Sequence, residues 1–288
     1  MLNILFCIYI IGKLYFQKLK NNNNIFCNAI KNNMSEKNNV WMHIFEQVKY
    51  DLLEDKIISA TDIKNAGKNW NGKSNQFEPR LLCKQDSEED RPEVFKQNNL
   101  CIISIKNGDY LLTKNNIYFP LSYHGEGEIR LLRKNNNSLI LNIGNSESSL
   151  LDNLRYSGIF ETEDYLNEPI LFGPLLSGRH RCSFNTTIGT KEVSVDGSQY
   201  ETDACYESEN KVLLIECKAK NKMESFNIRQ LYYPYKAIYD KVVDKKQIIP
   251  LFINKNKDDT IHVWKFQFMN PNVFTSLQQI DYKVYKFV

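Results

Sequence analysis

Asp203, Glu216 and Lys218 are the residues of this sequence whose types and spacing suit one reaction. The run Val212-Leu213-Leu214-Ile215-Glu216-Cys217-Lys218 is apolar until it ends in charges. An unbroken apolar run reads as a strand covered on both faces. Alternation then puts Glu216 and Lys218 on one face and turns Cys217 into the core. Asp203 stands thirteen residues before Glu216, in a preceding strand, with the polar turn Glu207–Asn210 between them. Folding that hairpin back brings two carboxylates together beside a lysine. The carboxylates suit Mg²⁺, which keeps coordination positions for water and a phosphate oxygen. The cation acidifies its water and stabilises charge on phosphorus. Lysine neutralises phosphoryl oxygens or serves the attacking water. A strand-end ion pair is the other reading. Glu-x-Lys alone says little; the upstream aspartate and the buried type of strand are what favour a metal site.

Further elements must hold this hairpin. After a polar break at Asn145–Ser149, Leu150–Leu166 has helical periodicity (Leu151, Leu154, Ile159, Phe160) and carries Glu161. Gly173–Phe184 reads as a loop rich in Gly and Arg. There Arg179, His180 and Arg181 follow a glycine and suit phosphate contacts, or simply a solvated loop. Strands are expected near Val193–Val195, at Tyr200–Tyr206 and at Lys211–Ala219, with a turn at Asp196-Gly197. A helix from about Ser225 to Val242 carries Arg229 and Gln230, and its tyrosines 232, 233 and 235 read as packing. Strands Gln247–Ile253 and Thr260–Phe268 follow.

The earlier part opens with a helix over Val40–Leu53, with Trp41, Ile44, Phe45, Val48 and Leu52 at helical spacing. Ser59 is then an N-cap, Asp62 completes a capping box, and Gly67 stops a second helix. Two short helices joined by a tight turn begin a helix-turn-helix, with Lys64 and Lys68 on phosphates; an ordinary helical hairpin reads the same. A short helix at Pro92–Asn98 follows, then strands at Leu100–Ile105, Tyr110–Thr113 and Ile117–Phe119, the first two joined by a turn at Asn107-Gly108-Asp109. Ile129–Leu132 and Leu139–Ile143 form another hairpin.

Composition bounds these readings. The 288 residues are 42% hydrophobic and 25% charged, which excludes collagen-like, wholly disordered and polytopic membrane chains. A net charge of +3 is too weak to argue for nucleic acid by itself, but it permits a local basic face. Seven scattered cysteines without a C-x-x-C pair argue against a disulfide framework or structural zinc, and for a reducing, cytoplasmic setting. Leu2–Phe16 is apolar but interrupted by Lys13 and shorter than the about 20 residues that span a bilayer. It reads as translated upstream sequence before a working start at Met34, with a membrane anchor as the alternative. Residues 1–33 are thus expected to be a dispensable or disordered extension, without stable membrane association. Residues 34–149 would form a DNA-recognition domain and 150–288 a catalytic one.

Asp203 with Glu216-Cys217-Lys218 resembles the PD-(D/E)XK nuclease signature, with Thr202 standing where that motif has proline. Ser157–Glu161, Ser177–His180, Gln199–Asp203, Ile228–Pro234, Phe77–Leu82 and Phe95–Leu100 resemble segments of type II restriction endonucleases in that superfamily. The resemblance runs from about Trp41 onward. It implies an α/β (α+β) fold, with a restriction-endonuclease-like mixed β-sheet flanked by helices, behind an α+β, helix-turn-helix-like N-terminal domain. It makes Asp203 and Glu216 Mg²⁺ ligands, with the Cys217 carbonyl as a third, Lys218 the partner of the attacking water, and Glu161 an accessory acid. Gln230 and Arg229 would lie on the helix beside the site. The implied activity is sequence-specific hydrolysis of double-stranded DNA by a homodimer accompanied by a cognate DNA methyltransferase. A repair or structure-specific nuclease of the same superfamily, and a non-catalytic DNA-binding protein, are the alternatives.

Overall fold

The computed structural model describes residues 35–288 apart from 53, 73, 124–127, 136, 139, 142, 143 and 145. The architecture is mixed α/β, two large sheets with few helices. A seven-stranded sheet has the order β5-β14-β13-β12-β10-β9-β6. Its strands are β5 (Arg130–Leu132), β6 (Phe172–Leu175), β9 (Ala204–Glu207), β10 (Lys211–Lys218), β12 (Gln247–Lys255), β13 (Ile261–Phe268) and β14 (Leu277–Phe287). A five-stranded sheet has the order β1-β3-β2-β8-β7. It contains β1 (Lys56–Ser59), β2 (Cys101–Lys106), β3 (Asp109–Thr113), β7 (Gly178–Ile188) and β8 (Lys191–Thr202). A small pair joins β4 (Tyr118–Pro120) to β11 (Ser225–Asn227). Among the described residues no helix is long and apolar enough to cross a membrane.

Both sheets are packed on two faces. The helices are α1 (Glu36–Gln47), α2 (Ala60–Ala66), α3 (Pro79–Leu82), α4 (Glu93–Gln97), α5 (Glu147–Tyr156) and α6 (Arg229–Val242). Leu213, Ile215 and Cys217 of β10 join a core with Leu150, Leu151 and Leu154 of α5. Leu214, on the other face, joins a core with Leu231, Tyr232 and Tyr233 of α6 and with Ile103 and Ile105 of β2. The opposite face of β2 presents Ile102 to a third core, made with Trp41, Ile44 and Phe45 of α1. Each fully buried Leu, Ile or Phe contributes roughly 1.5–3 kcal/mol, so unbroken apolar strands belong in these two-sided positions. The α6 tyrosines are packing residues, as read from sequence: Tyr232 and Tyr233 are 0% exposed. Helix α6 is the crossover between the parallel neighbours β10 and β12.

Several local expectations change. Between α1 and α2 lies β1, paired with β3 (Ile57↔Leu111), so no tight helix–turn–helix unit forms. The β-branched pair Ile57-Ile58 finds a partner strand instead. The capping box does form: Ser59 Oγ accepts from Asp62 N at 3.0 Å, and Asp62 Oδ2 accepts from Ser59 N at 2.9 Å. Gly67 ends α2 at ordinary helical φ (−64°). Packing demands glycine there, because a Cβ would sit 2.8 Å from Phe77 Cγ.

The helix expected over Leu150–Leu166 is α5. It starts at Glu147, where Ser146 Oγ caps Ser149 N, and it ends before Gly158, whose φ of +80° breaks it. The loop expected at Gly173–Phe184 is largely strand. In β7, Cys182, Thr186 and Ile188 are buried while Arg179, Arg181 and Ser183 are exposed, the two-residue period of a sheet. Strand β8 runs through Asp196-Gly197 without stopping; Gly197 takes φ +60° opposite a register shift in β7. Of the hairpin expected from Ile129–Leu132 and Leu139–Ile143, the first strand, β5, pairs in parallel with β14, and much of Leu139–Ile143 lies outside the described residues.

Candidate functional site

Asp203 is the single residue between β8, in the five-stranded sheet, and β9, in the seven-stranded one. The β9–β10 ladder ends at Ala204↔Ile215, so its next step would set Asp203 against Glu216. The chain turns away instead, and Asp203 Oδ2 accepts a hydrogen bond from Cys217 N at 2.7 Å. Glu216 is only 6% exposed. Its Oε1 accepts from Gln230 Nε2 at 2.6 Å and from Lys218 Nζ. Burial pushes the Glu216 carboxyl up to about 8; the Asp203 charge adds to this and the Lys218 charge opposes it. Burial disfavours the charged form of Lys218, but the Glu216 carboxylate outweighs it and raises that ammonium overall. The Cys217 thiol lies on the other face, 0% exposed, and burial pushes it well up. Cys217 therefore reaches the site through its backbone.

The three residues open onto a cleft of about 540 Å³ that Arg179, Arg229 and Gln230 also line. Arg229 Nη2 donates to the Gln199 carbonyl, and its guanidinium lies 4.6 Å over the Tyr233 ring. Arg179 pairs with Glu201 at 2.8 Å. Among the described residues, three buried side-chain atoms of the residues lining this cleft lack a hydrogen-bond partner: Gln85 Nε2, Arg229 Nε and Gln230 Oε1.

Other expected residues lie elsewhere. Glu161 is in a short 3₁₀ turn beyond α5, where it accepts from Ile170 N at 2.8 Å and pairs with Arg155 at 3.5 Å. The acid that α5 brings to the cleft is Glu147, its first residue, whose Oε1 accepts from Ala219 N at 3.3 Å. The signal was present in the sequence: Ser146-Glu147 is an N-cap followed by a first-turn acid. His180 turns to Tyr200, ring centroids 5.7 Å apart, and Arg181 is exposed; neither lines the cleft. Lys64 and Lys68 are exposed on α2 and the turn after it, also outside the cleft. The earlier part instead contributes Arg80, Lys84, Lys106, Asn107 and Tyr110, which no local pattern indicated.

Could this set hold a divalent cation? Among the described residues no group of three or more His, Cys, Asp or Glu could hold a metal ion. Mg²⁺ asks less, since one or two carboxylates with waters and substrate phosphate commonly suffice. Asp203 Oδ1 and Glu216 Oε2 carry no hydrogen bond among the described residues, and Gln230, bonded to Glu216 through its Nε2, has its Oε1 buried without a partner. The donor set therefore fits Mg²⁺ as a substrate-assisted site, and does not fit a closed structural metal.

Fold and cleft define a mixed α/β protein whose paired carboxylates stand where its two sheets meet. The chain belongs to the family described as a domain of unknown function (DUF6997), whose model matches residues 113–286. A second domain of unknown function (DUF6996) matches residues 38–112. No curated protein and no solved structure matches the chain.

Proposed function

We propose that the protein is a Mg²⁺-dependent endonuclease of the restriction type, acting on double-stranded DNA. The observation that carries this reading is the adjacency of Asp203 and Glu216, with Lys218 on Glu216, at the end of a buried strand and facing a cleft with arginines. A cation held by Asp203 and Glu216 would supply an acidified water and neutralise charge at phosphorus. Cys217 N–H fixes the Asp203 carboxylate. Gln230 fixes one oxygen of Glu216 and leaves the other for binding. Lys218 delivers positive charge to a phosphoryl oxygen and orients the water, work for which its raised proton affinity keeps it protonated. Hydrolysis would leave 5′-phosphate and 3′-hydroxyl ends.

The parallel β10–β12 pair with its α6 crossover supports a restriction-endonuclease-like fold for the seven-stranded sheet. The reading entails a homodimer, because cutting both strands of a symmetric site takes two such clefts. It also entails a cognate methyltransferase in the same cell and a cytoplasmic location. The test is incubation of the purified chain with mixed-sequence plasmid DNA and Mg²⁺. Discrete fragments are expected. Random degradation would move the reading to a repair or structure-specific nuclease, and intact plasmid would leave a non-catalytic DNA-binding protein.

A further inference from the structure

The cations of the cleft divide into two kinds. Lys84 pairs with Asp86 at 3.3 Å, Lys106 with Asp196 at 3.8 Å, Arg179 with Glu201 at 2.8 Å, and Lys218 with Glu216. Arg80 and Arg229 line the same cleft with no carboxylate partner among the described residues. Arg229 is held in place by the Gln199 carbonyl and the Tyr233 ring, and its Nε is buried without an acceptor. The Tyr233 hydroxyl donates to the Ser104 carbonyl at 2.5 Å, and Ser104 is the ladder partner of Tyr110. Tyr110 also lines the cleft. Burial raises its hydroxyl to about 12, while the charges of Arg229 and Arg80 both pull it down, so the two guanidiniums act on one phenol.

We propose that Arg80, Tyr110 and Arg229 form a phosphate subsite of their own in the cleft, which takes a phosphodiester of the same nucleic acid next to the one at Asp203 and Glu216. The chemistry asks for an anion that accepts several hydrogen bonds. The cleft-lining guanidiniums of Arg229, steadied by Gln199 and Tyr233, and of Arg80 both offer donors with no carboxylate partner among the described residues, and guanidinium suits phosphate geometry. A carboxylate ligand would meet the same donors, but the acid cluster in this cleft favours a substrate that also carries phosphate to a metal. The subsite makes the ligand a polynucleotide strand running between the earlier and later parts of the chain, rather than an isolated phosphomonoester.

This inference rests on the nuclease reading, and its test separates the two. The full chain is titrated with a fluorescent DNA duplex in EDTA, where no cleavage occurs, at several salt concentrations. Arg80→Gln, Arg229→Lys and Tyr110→Phe are compared with Lys257→Ala, an exposed lysine outside the cleft. Arg80 is exposed, so its replacement is not expected to disturb folding. Arg80→Gln should weaken binding by about tenfold, as loss of a charged hydrogen bond does. It should also reduce the slope of log K against log salt by about 0.9, the value of one phosphate contact. Arg229→Lys, which keeps charge but loses the fork, should weaken binding with its salt slope retained. Lys257→Ala should behave as the unchanged chain. Tight, salt-dependent binding that folded Arg80→Gln and Arg229→Lys proteins leave unaltered would overturn the subsite while sparing the nuclease. Failure of the unchanged chain to bind any duplex would overturn both.

Discussion

Asp203 Oδ2 accepts the Cys217 backbone N–H at 2.7 Å, one step beyond the last β9–β10 ladder pair. The aspartate thus stands in for a strand carbonyl, and its position is fixed by the backbone that carries Glu216 and Lys218. Asp203→Asn keeps an acceptor for that N–H, whereas Asp203→Ala leaves it unmet, a cost of roughly 1–3 kcal/mol. The expected outcome is that Asp203→Asn melts close to the unchanged chain and Asp203→Ala melts lower, with DNA cleavage down by orders of magnitude in both. Melting curves and plasmid cleavage measured side by side decide it; a folded Asp203→Asn protein that still cuts would remove Asp203 from the chemistry.

Glu216 has a folded-state value near 8, above the usual carboxylate range, because of burial first and the Asp203 charge second. A raised value means that the folded chain holds this proton more tightly than the unfolded chain. The stabilisation is full below the ordinary carboxylate value and is lost as pH rises through about 8. Without metal, melting temperature should fall between pH 5 and pH 9, and Glu216→Gln should flatten that slope. Mg²⁺ competes with the proton, so it should raise the melting temperature more at pH 9 than at pH 6. A Mg²⁺ effect independent of pH would contradict Glu216 as a ligand.

Lys218 touches Glu216 and is buried with it. Lys218→Ala should abolish cleavage while Mg²⁺ binding, followed by calorimetry at pH 9, changes little. A plain ion pair predicts the reverse pattern, a loss of melting temperature shared by Lys218→Ala and Glu216→Ala with cutting intact in whatever remains folded.

Glu147 and Glu161 separate position in sequence from position in space. Glu147→Ala should lower cleavage at least tenfold. Glu161→Ala should leave it unaltered and lose only a half-exposed pair with Arg155 and a bond from Ile170 N. Such ion pairs are worth about 0–1 kcal/mol. Equal activity in the two variants would count against an acid supplied by α5.

Gly67→Ala tests the earlier part. The added Cβ would meet the Phe77 ring at 2.8 Å, so the protein should lose about 1–3 kcal/mol, read as a lower urea midpoint at unchanged slope.

What could be read from sequence was local. Trp41, Ile44 and Phe45 announce α1 by spacing, and the apolar run of β10 announces its two covered faces. Ser59 and Asp62 announce a cap three residues apart. The neighbour of Asp203 could be read because a short turn fixes the hairpin. Arg80 and Tyr110 could not be read, since they meet Arg229 only after strands from distant parts of the chain share a sheet. The start of α5 is not legible from periodicity because its apolar stripe begins at Leu150, four residues after its Ser146 cap, which hides Glu147. Strand β7 was hidden by arginine and glycine, whose polarity suggests a loop although alternate positions are apolar.

Strand β8 pairs with β2 from the region matched as DUF6996, and it delivers Asp203 to a sheet within the region matched as DUF6997. A fragment cut at residue 113 would keep the β7–β8 ladder and the bond from Cys217 N to Asp203, but it would lose β2, which meets β8 at Lys106↔Asp196. The two matched regions thus share one cleft: the later carries both acids and the backbone that sets the gap between them, and the earlier supplies Arg80, Lys106 and Tyr110 to the wall.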